Sequence, residues 1–109
     1  MSELAEKKCL SCQSGVPPLE PAQQQALLAE LNDWQLIDQH HLHKAYSFKN
    51  FAEALNWVHA VSVIAEQENH HPDIAFGWGY VKIDIWTHKI DALTESDFVL
   101  AAKLDLLEI

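Results

Sequence analysis

The segment from Asn50 to Glu68 constrains the fold of this chain most strongly. Its apolar side chains recur every three or four residues, which is the spacing of one buried helix stripe. Asn50 followed by Glu53 has the pattern of a capping box at the helix start. Trp57 and Ile64 widen the stripe, so we expect the helix to pack on more than one neighbour, which favours a subunit interface. The predicted stripe consists of Phe51, Ala54, Leu55, Val58, Val61 and Ala65.

Short segments of alternating apolar and polar residues lie on both sides of this helix, and they predict two β-hairpins. A further helix pattern precedes the first hairpin, and another follows the second. The order α-β-β-α-β-β-α predicts an α+β fold, with a four-stranded antiparallel sheet and three α-helices packed on one face. The predicted strands are 34–37, 41–48, 73–76 and 80–88, and the predicted helices begin at Pro21, Asn50 and Thr94.

Length and charge limit the class of protein. The chain has 109 residues, 49 % of them hydrophobic, which fits one compact domain and excludes a disordered chain. No apolar run approaches the roughly 20 residues that cross a bilayer, and the first residues lack the apolar stretch of a signal peptide, so we expect a cytoplasmic protein. A formal net charge of −9 with no Arg argues against nucleic acid or anionic membranes as partners.

The two cysteines, Cys9 and Cys12, form one CxxC motif in residues 1–19, which we interpret as a flexible tail ahead of a single domain over 20–109. A closed zinc site needs four ligands, and this motif supplies two. The strand and helix that flank a thioredoxin-like motif are also missing from the pattern. The favoured interpretation is a partly ordered tail with two thiols, and a zinc site completed by histidines or by a second chain is the alternative. No metal is predicted.

Seven histidines are unusual in so short a chain. Three of them, His40, His41 and His43, fall at the predicted hairpin turn and on a predicted solvent face, so we expect them to be solvated. His70 and His71 differ because Pro72 follows them. Proline disfavours helical angles in the residue before it, so the chain must turn sharply at this junction, where a cleft can form.

Three interpretations of the His70-His71 pair remain open from spacing alone. Imidazolium groups at a helix C-terminus interact favourably with the helix macrodipole. A metal site could form with His88, Asp97 or Glu66, although no HExxH-type spacing is present. The third interpretation is general acid and base catalysis, since an unperturbed imidazole has a pKa of about 6.5 and exchanges protons near neutral pH.

A longer pattern resembles the pterin-4a-carbinolamine dehydratases. Its core is Glu66-x-x-x-His70-His71-Pro72, and Trp78, His88 and Asp97 follow at the spacings of that family. The resemblance covers roughly residues 20–106, and the CxxC tail is similar to that of bacterial members. Further matching segments are Tyr46-Ser47-Phe48-Lys49-Asn50-Phe51, Trp86-Thr87-His88 and Asp97-Phe98.

The resemblance implies a fold, a reaction and an assembly. The fold is the one predicted above, and the family assembles as homodimers or homotetramers. The reaction removes water from 4a-hydroxytetrahydropterin, a by-product of aromatic amino acid hydroxylases, and gives the quinonoid dihydropterin, which a reductase returns to tetrahydropterin. No metal or other cofactor is required. The expected partners are the pterin substrate and an aromatic amino acid hydroxylase.

The resemblance also assigns roles to individual residues. His70, His71 and His88 are the expected pterin-site histidines. We hypothesise that His70 and His88 form the acid/base pair, while His71 holds the pterin and its hydroxyl. Asp97 caps the last helix and is expected to orient His88 as well. The remaining supporting residues are Glu66, which at one helical turn can reach His70, and Trp78 as a substrate-binding side chain.

Two other functions are alternatives to this enzymatic role. One is a non-catalytic, pterin-linked interaction or regulatory module with a hydroxylase or a transcription factor as its partner. The other is a role in molybdopterin metabolism. The complete histidine set favours catalysis.

Overall fold

The computed structural model describes residues 3–7 and 17–107, and it has the predicted element order and α+β class. Cys9 and Cys12 lie outside these residues. Residues 3–7, which the sequence analysis includes in the tail, begin with a short 3-10 helix, Glu3–Glu6. The remaining elements are α1 (Pro21–Leu28), β1 (Gln35–Ile37), β2 (His41–Ser47), α2 (Phe51–Glu68), β3 (Asp73–Gly77), β4 (Tyr80–Ile85) and α3 (Glu95–Asp105).

The four strands form one antiparallel sheet in the order β1-β2-β4-β3, so the two hairpins join through β2 and β4. Val81, Ile83 and Ile85 of the central strand β4 are fully buried on one face. They belong to one apolar core together with side chains of α2 and α3. The predicted arrangement of helices on one face is therefore confirmed, and the opposite face carries polar and charged side chains.

The opposite face contains two aspartates in direct register. Asp73 of β3 lies across from Asp84 of β4, and like charges in this position destabilise a sheet. Each of these two aspartates has a histidine beside it, which offsets the repulsion. The Nδ1 atom of His43 lies 2.7 Å from Asp84 Oδ1, and the Nε2 atom of His88 lies 3.5 Å from Asp73 Oδ1.

The prediction that His40, His41 and His43 are solvated is wrong, because all three are half-buried. His40 Nε2 lies 2.7 Å from Asp91 Oδ1, and the rings of His40 and His41 both contact Trp86. His40 lies in the turn between β1 and β2, and Asp91 lies in the turn that follows β4, so a contact between turns brings this pair together.

The long helix α2 confirms its predicted start, since the Asn50 side chain accepts a hydrogen bond from the Glu53 backbone at 2.9 Å. Its buried side chains are Ala54, Trp57, Val61 and Ala65. Phe51 and Leu55 were predicted on the buried stripe, but they are 43 % and 45 % exposed. The apolar surface of α2 is therefore wider than the part that the sheet and α3 cover.

The other two helices also differ from their predicted patterns. Helix α1 ends at Leu28, a few residues before the predicted stop at Asn32, and Leu27 and Leu28 are only half-buried. Helix α3 is buried on more sides than predicted.

Residues 3–7 pack on α3. Leu4 is buried, and the Lys103 ammonium donates to the Ala5 carbonyl at 2.7 Å.

A buried carboxylate, Asp105, ties the end of α3 to the first hairpin. It accepts hydrogen bonds from the Trp34 indole N–H at 2.8 Å and the Asn32 backbone N–H at 3.0 Å, and the Lys44 ammonium lies 3.3 Å away. Burial, and secondarily the charge of Asp105, raise the pKa of Tyr46 beside this cluster, so the phenol stays neutral.

We expect Asp105→Ala to lower the free energy of unfolding by about 3 kcal/mol, because the Trp34 and Asn32 N–H groups lose their acceptor and the Lys44 ammonium loses its carboxylate while it retains the Asn32 carbonyl. Urea denaturation would measure this loss. The matched control is Glu95→Ala, which removes an ion pair to Lys7 between side chains about half exposed and is expected to cost no more than about 1 kcal/mol. Equal losses in the two variants would contradict the expectation.

Candidate active site

An open cleft of about 210 Å³ lies where α2 ends, β3 begins and the chain turns after β4. This volume is below the roughly 300–1,000 Å³ of typical pockets for drug-sized ligands, so it suits a compact molecule. The three histidines singled out from the sequence all line it. The lining residues are Asn69, His70, His71, Pro72, Asp73, Thr87, His88 and Lys89.

The end of α2 determines where the adjacent imidazoles point. Asn69 adopts a left-handed conformation with φ of 51°, which Asn tolerates better than most residues. The His70 N–H then bonds to the Ala65 carbonyl at 3.1 Å, as in a Schellman motif. As a result His70 is buried, with 6 % of its surface exposed, whereas the His71 side chain is 53 % exposed.

His70 is held by Asp97, the fully buried carboxylate near the start of α3. The Nε2 atom of His70 lies 2.6 Å from Asp97 Oδ1. The other oxygen, Oδ2, accepts from the Thr87 hydroxyl and from the Thr94 backbone N–H, each at 2.8 Å. Because the ionised carboxylate only accepts, the proton between it and His70 lies on Nε2.

Two predicted pairings are corrected by this geometry. Asp97 was expected to orient His88, but it contacts His70 instead. Glu66 was expected to reach His70, but its carboxylate contacts His71 Nε2. The left-handed turn at Asn69 explains both differences, since it directs His70 inward and leaves His71 beside the last turn of the helix.

His88 lies in a turn and not on a strand, because β4 ends at Ile85 and the prediction of a strand over 80–88 is too long. Thr87 forms an isolated bridge with Ala92, which closes that turn. The His88 ring lies 4.2 Å from the Trp86 ring between centroids. Its Nε2 atom lies 3.5 Å from Asp73 Oδ1, so each of the three cleft histidines faces one carboxylate.

Trp78 stands apart from the cleft. It is 74 % exposed in the turn between β3 and β4, and it is not among the cleft residues. Its predicted role in substrate binding stays a prediction. Sequence reasoning missed Asn69, Asp73, Thr87 and Lys89 as cleft residues. Only Thr87 carried a signal, as part of the string Trp86-Thr87-His88.

The residues that the structure describes contain neither a metal-binding cluster nor a membrane-spanning helix. No group of three or more His, Cys, Asp or Glu side chains there could hold a metal ion. None of the helices over 3–7 and 17–107 has the length and apolarity needed to cross a membrane.

Comparison with known proteins shows the family to which this chain belongs. The family model described as pterin 4 alpha carbinolamine dehydratase matches residues 17–107. The chain belongs to this family of hydro-lyases. A Rubrobacter xylanophilus protein named "Putative pterin-4-alpha-carbinolamine dehydratase" is 55 % identical over 98 % of this chain and 100 % of its own length. A Rickettsia canadensis protein of the same name is 52 % identical over 96 % of this chain and 97 % of its own.

Solved structures agree with the fold of this pterin-4a-carbinolamine dehydratase family member. A Brucella melitensis protein described as a transcriptional coactivator/pterin dehydratase matches with a TM-score of 0.75 and 26 % identity, over 81 % of this chain and 95 % of its own. A pterin dehydratase-like protein described as a RuBisCO assembly factor in the alpha-carboxysome matches with a TM-score of 0.58 and 25 % identity, over 68 % of this chain and 87 % of its own.

The two carboxylates of the site should differ sharply in their effect on stability. We expect Asp97→Ala to cost roughly 3–5 kcal/mol, because His70, Thr87 and the start of α3 lose a buried acceptor. Glu66→Ala should cost less than about 1 kcal/mol, since that side chain is 76 % exposed. Urea denaturation of both variants measures the contrast.

If Asp97→Ala proves too unstable to purify, Asp97→Asn keeps the shape and retains one acceptor oxygen. It should still unfold at lower urea concentration than the wild type. Stability equal to wild type in Asp97→Asn, or a larger loss in Glu66→Ala, would contradict the assignment of Asp97 as the buried anchor.

Proposed function

We propose that the cleft dehydrates pterin-4a-carbinolamine to quinonoid dihydropterin and water, by general acid and base catalysis from its histidines. The observation that carries the proposal is the convergence of His70, His71 and His88 on one cleft, each beside its own carboxylate. Family membership supports the reaction class.

The reaction requires one proton to be added and one to be removed. The bond between C4a and its hydroxyl oxygen breaks, and the hydroxyl leaves as water after an acid supplies a proton. N5 loses its proton to a base, and the electron pair of the N5–H bond forms the new double bond between C4a and N5. Imidazoles near neutral pH serve as both acid and base.

We assign His70 as the base. Its Nε2–H is held by Asp97, so in the neutral ring the lone pair lies on Nδ1, and the buried carboxylate stabilises the imidazolium formed when that nitrogen takes a proton. The hydrogen bond also fixes the ring orientation, which removes an entropic cost from the chemical step.

We assign His88 as the acid, which donates to the departing hydroxyl. Its side chain is 53 % exposed, so solvent can return the donated proton after each turnover. His71 lies at the mouth of the cleft with Glu66 and is assigned to hold the pterin and its hydroxyl. Because carbinolamine dehydration proceeds appreciably without an enzyme, catalysis is measured as the rate above the uncatalysed rate.

The product of this reaction, quinonoid dihydropterin, can be reduced back to tetrahydropterin by a reductase. We propose that the protein recycles tetrahydrobiopterin, or a pterin with another side chain, for an aromatic amino acid hydroxylase in the cytoplasm. Support for this link comes from the chemistry of the substrate, which such hydroxylases produce. An assay that contains a hydroxylase and the reductase would show faster regeneration of tetrahydropterin when the protein is present.

We expect His70→Ala and His88→Ala to lower kcat about 100-fold, within the range typical of a lost general acid or base. His71→Ala should mainly raise KM. Stopped-flow loss of ultraviolet absorbance from freshly generated 4a-hydroxytetrahydropterin measures both constants. The control is Lys82→Ala, which truncates an exposed side chain of β4 away from the cleft and should leave turnover unchanged.

Each outcome of this assay has a distinct meaning. No acceleration by folded wild-type protein would overturn the proposed reaction. Acceleration that survives both His70→Ala and His88→Ala would keep the reaction and overturn the assignment of these two residues.

A second candidate function is a protein-binding role, and the exposed apolar side chains of α2 favour it. Phe51, Leu55 and Val63 are 43 %, 45 % and 45 % exposed along one side of the helix. The two structural neighbours described as a coactivator and as an assembly factor show that this fold occurs in such proteins.

We propose that a second copy of the chain covers the exposed apolar side of α2, which gives the expected homodimer or homotetramer.

We expect Leu55→Glu to lower the molecular mass in sedimentation equilibrium, because a charge on an apolar interface opposes association. Gln25→Glu adds the same charge at an exposed position of α1, away from this side of α2, and is the control. A wild-type protein that is already monomeric would refute self-association and leave this side of α2 to another partner.

A further inference from the structure

A buried chain of hydrogen bonds extends behind His70, beyond the residues assigned to the reaction. Thr87 and Thr94 are 3 % and 2 % exposed, and their hydroxyl oxygens lie 3.0 Å apart. The Thr87 hydroxyl also lies 2.8 Å from Asp97 Oδ2, and Asp97 Oδ1 lies 2.6 Å from His70 Nε2. These hydrogen bonds therefore connect the turn after β4, the start of α3 and the end of α2.

The direction of every bond in this chain follows from counting protons. Asp97 only accepts when it is ionised, so the single hydroxyl proton of Thr87 points to Oδ2. Thr87 then has no second hydroxyl proton for Thr94, and the contact between the two hydroxyls requires Thr94 to donate. The sequence of donors runs from Thr94 to Thr87 to Asp97, and His70 donates to Asp97 from the other side.

We propose that Thr87 is a positioning residue for the reaction, acting through Asp97 on His70. Its hydroxyl holds one oxygen of the carboxylate so that the other oxygen faces His70 Nε2, which fixes the orientation of the ring. The role in turnover rests on the proposed function. The effect on the state of His70 does not, because it follows from the hydrogen bonds alone.

The Thr87 side chain is separable from the Thr87 backbone. The bridge to Ala92 uses the Thr87 N–H and carbonyl, at 2.9 and 3.4 Å, and any side chain leaves these bonds available. Valine has the shape of threonine and prefers strands as threonine does. Thr87→Val therefore removes the hydroxyl proton while keeping the turn that carries His88, and Oδ2 retains the Thr94 N–H.

The loss of one of these two donors loosens the carboxylate without removing it. We expect Thr87→Val to lower kcat about 10-fold, since small errors in the placement of a catalytic group cost one to two orders of magnitude. KM should change by less than about 2-fold, because Thr87 holds Asp97 and not the pterin. Thr87→Ser restores the hydroxyl and should recover kcat to within about 2-fold of wild type.

The first test is steady-state kinetics of the full chain with Thr87→Val and Thr87→Ser, in the stopped-flow assay described above. The second is nuclear magnetic resonance of protein labelled with ¹⁵N histidine, in which the ¹⁵N shifts distinguish a protonated ring nitrogen from an unprotonated one. The His70 signals are assigned by their loss in His70→Ala. We expect a slowly exchanging Nε2–H proton in the wild type, faster exchange of that proton with water in Thr87→Val because the ring is held less firmly, and recovery in Thr87→Ser.

The two tests separate this inference from the proposed function. Faster exchange of the His70 Nε2–H proton in Thr87→Val combined with no activity in the wild type would support the positioning of His70 and refute the proposed reaction. An unchanged exchange rate of that proton in Thr87→Val would overturn the inference, whatever the activity. A fall in stability without recovery of kcat in Thr87→Ser would also overturn it, because it would show a structural role only.

Discussion

The buried carboxylate of Asp97 is the interaction on which the arrangement of this site depends. An unpaired carboxylate in a protein interior costs several kcal/mol, so its hydrogen-bond donors must be in place when the chain folds. Those donors come from three separate segments: His70 after α2, Thr87 after β4, and Thr94 at the start of α3. Satisfying one buried charge therefore brings the three segments together, and the cleft opens beside their junction.

Local patterns in the sequence predicted the parts of this arrangement that depend on neighbouring residues. Thr94 and Asp97 match a capping box, and the structure contains that contact. The partner of each histidine was predicted wrongly, because the i to i+4 spacing of Glu66 and His70 assumes a helix that continues through His70. The helix ends instead with a left-handed residue at Asn69, and no pattern in the sequence marked that residue as the one that reverses the two partners.

Contacts between distant segments were also beyond the reach of sequence periodicity. The apolar spacing of α2 predicted a helix correctly, but periodicity cannot distinguish a side chain covered by its own sheet, such as Val61, from an uncovered one, such as Leu55. His43 was predicted to be solvated because it falls on the predicted solvent face of an alternating strand. Its partner Asp84 lies on β4, and only the register between the strands brings the two residues together.

The three cleft histidines differ in how firmly the fold holds them, and this difference fits a reaction that needs both an acid and a base. His70 is buried with a buried partner, so its ring cannot reorient without breaking the hydrogen bonds behind it. His88 lies in an exposed turn at 3.5 Å from Asp73, where water reaches it. In the proposed reaction His70 takes a proton and His88 gives one, so both must exchange a proton before the next turnover. Burial holds the ring of His70 in one orientation for the proposed role as base, and exposure gives His88 direct contact with water for the proposed role as acid.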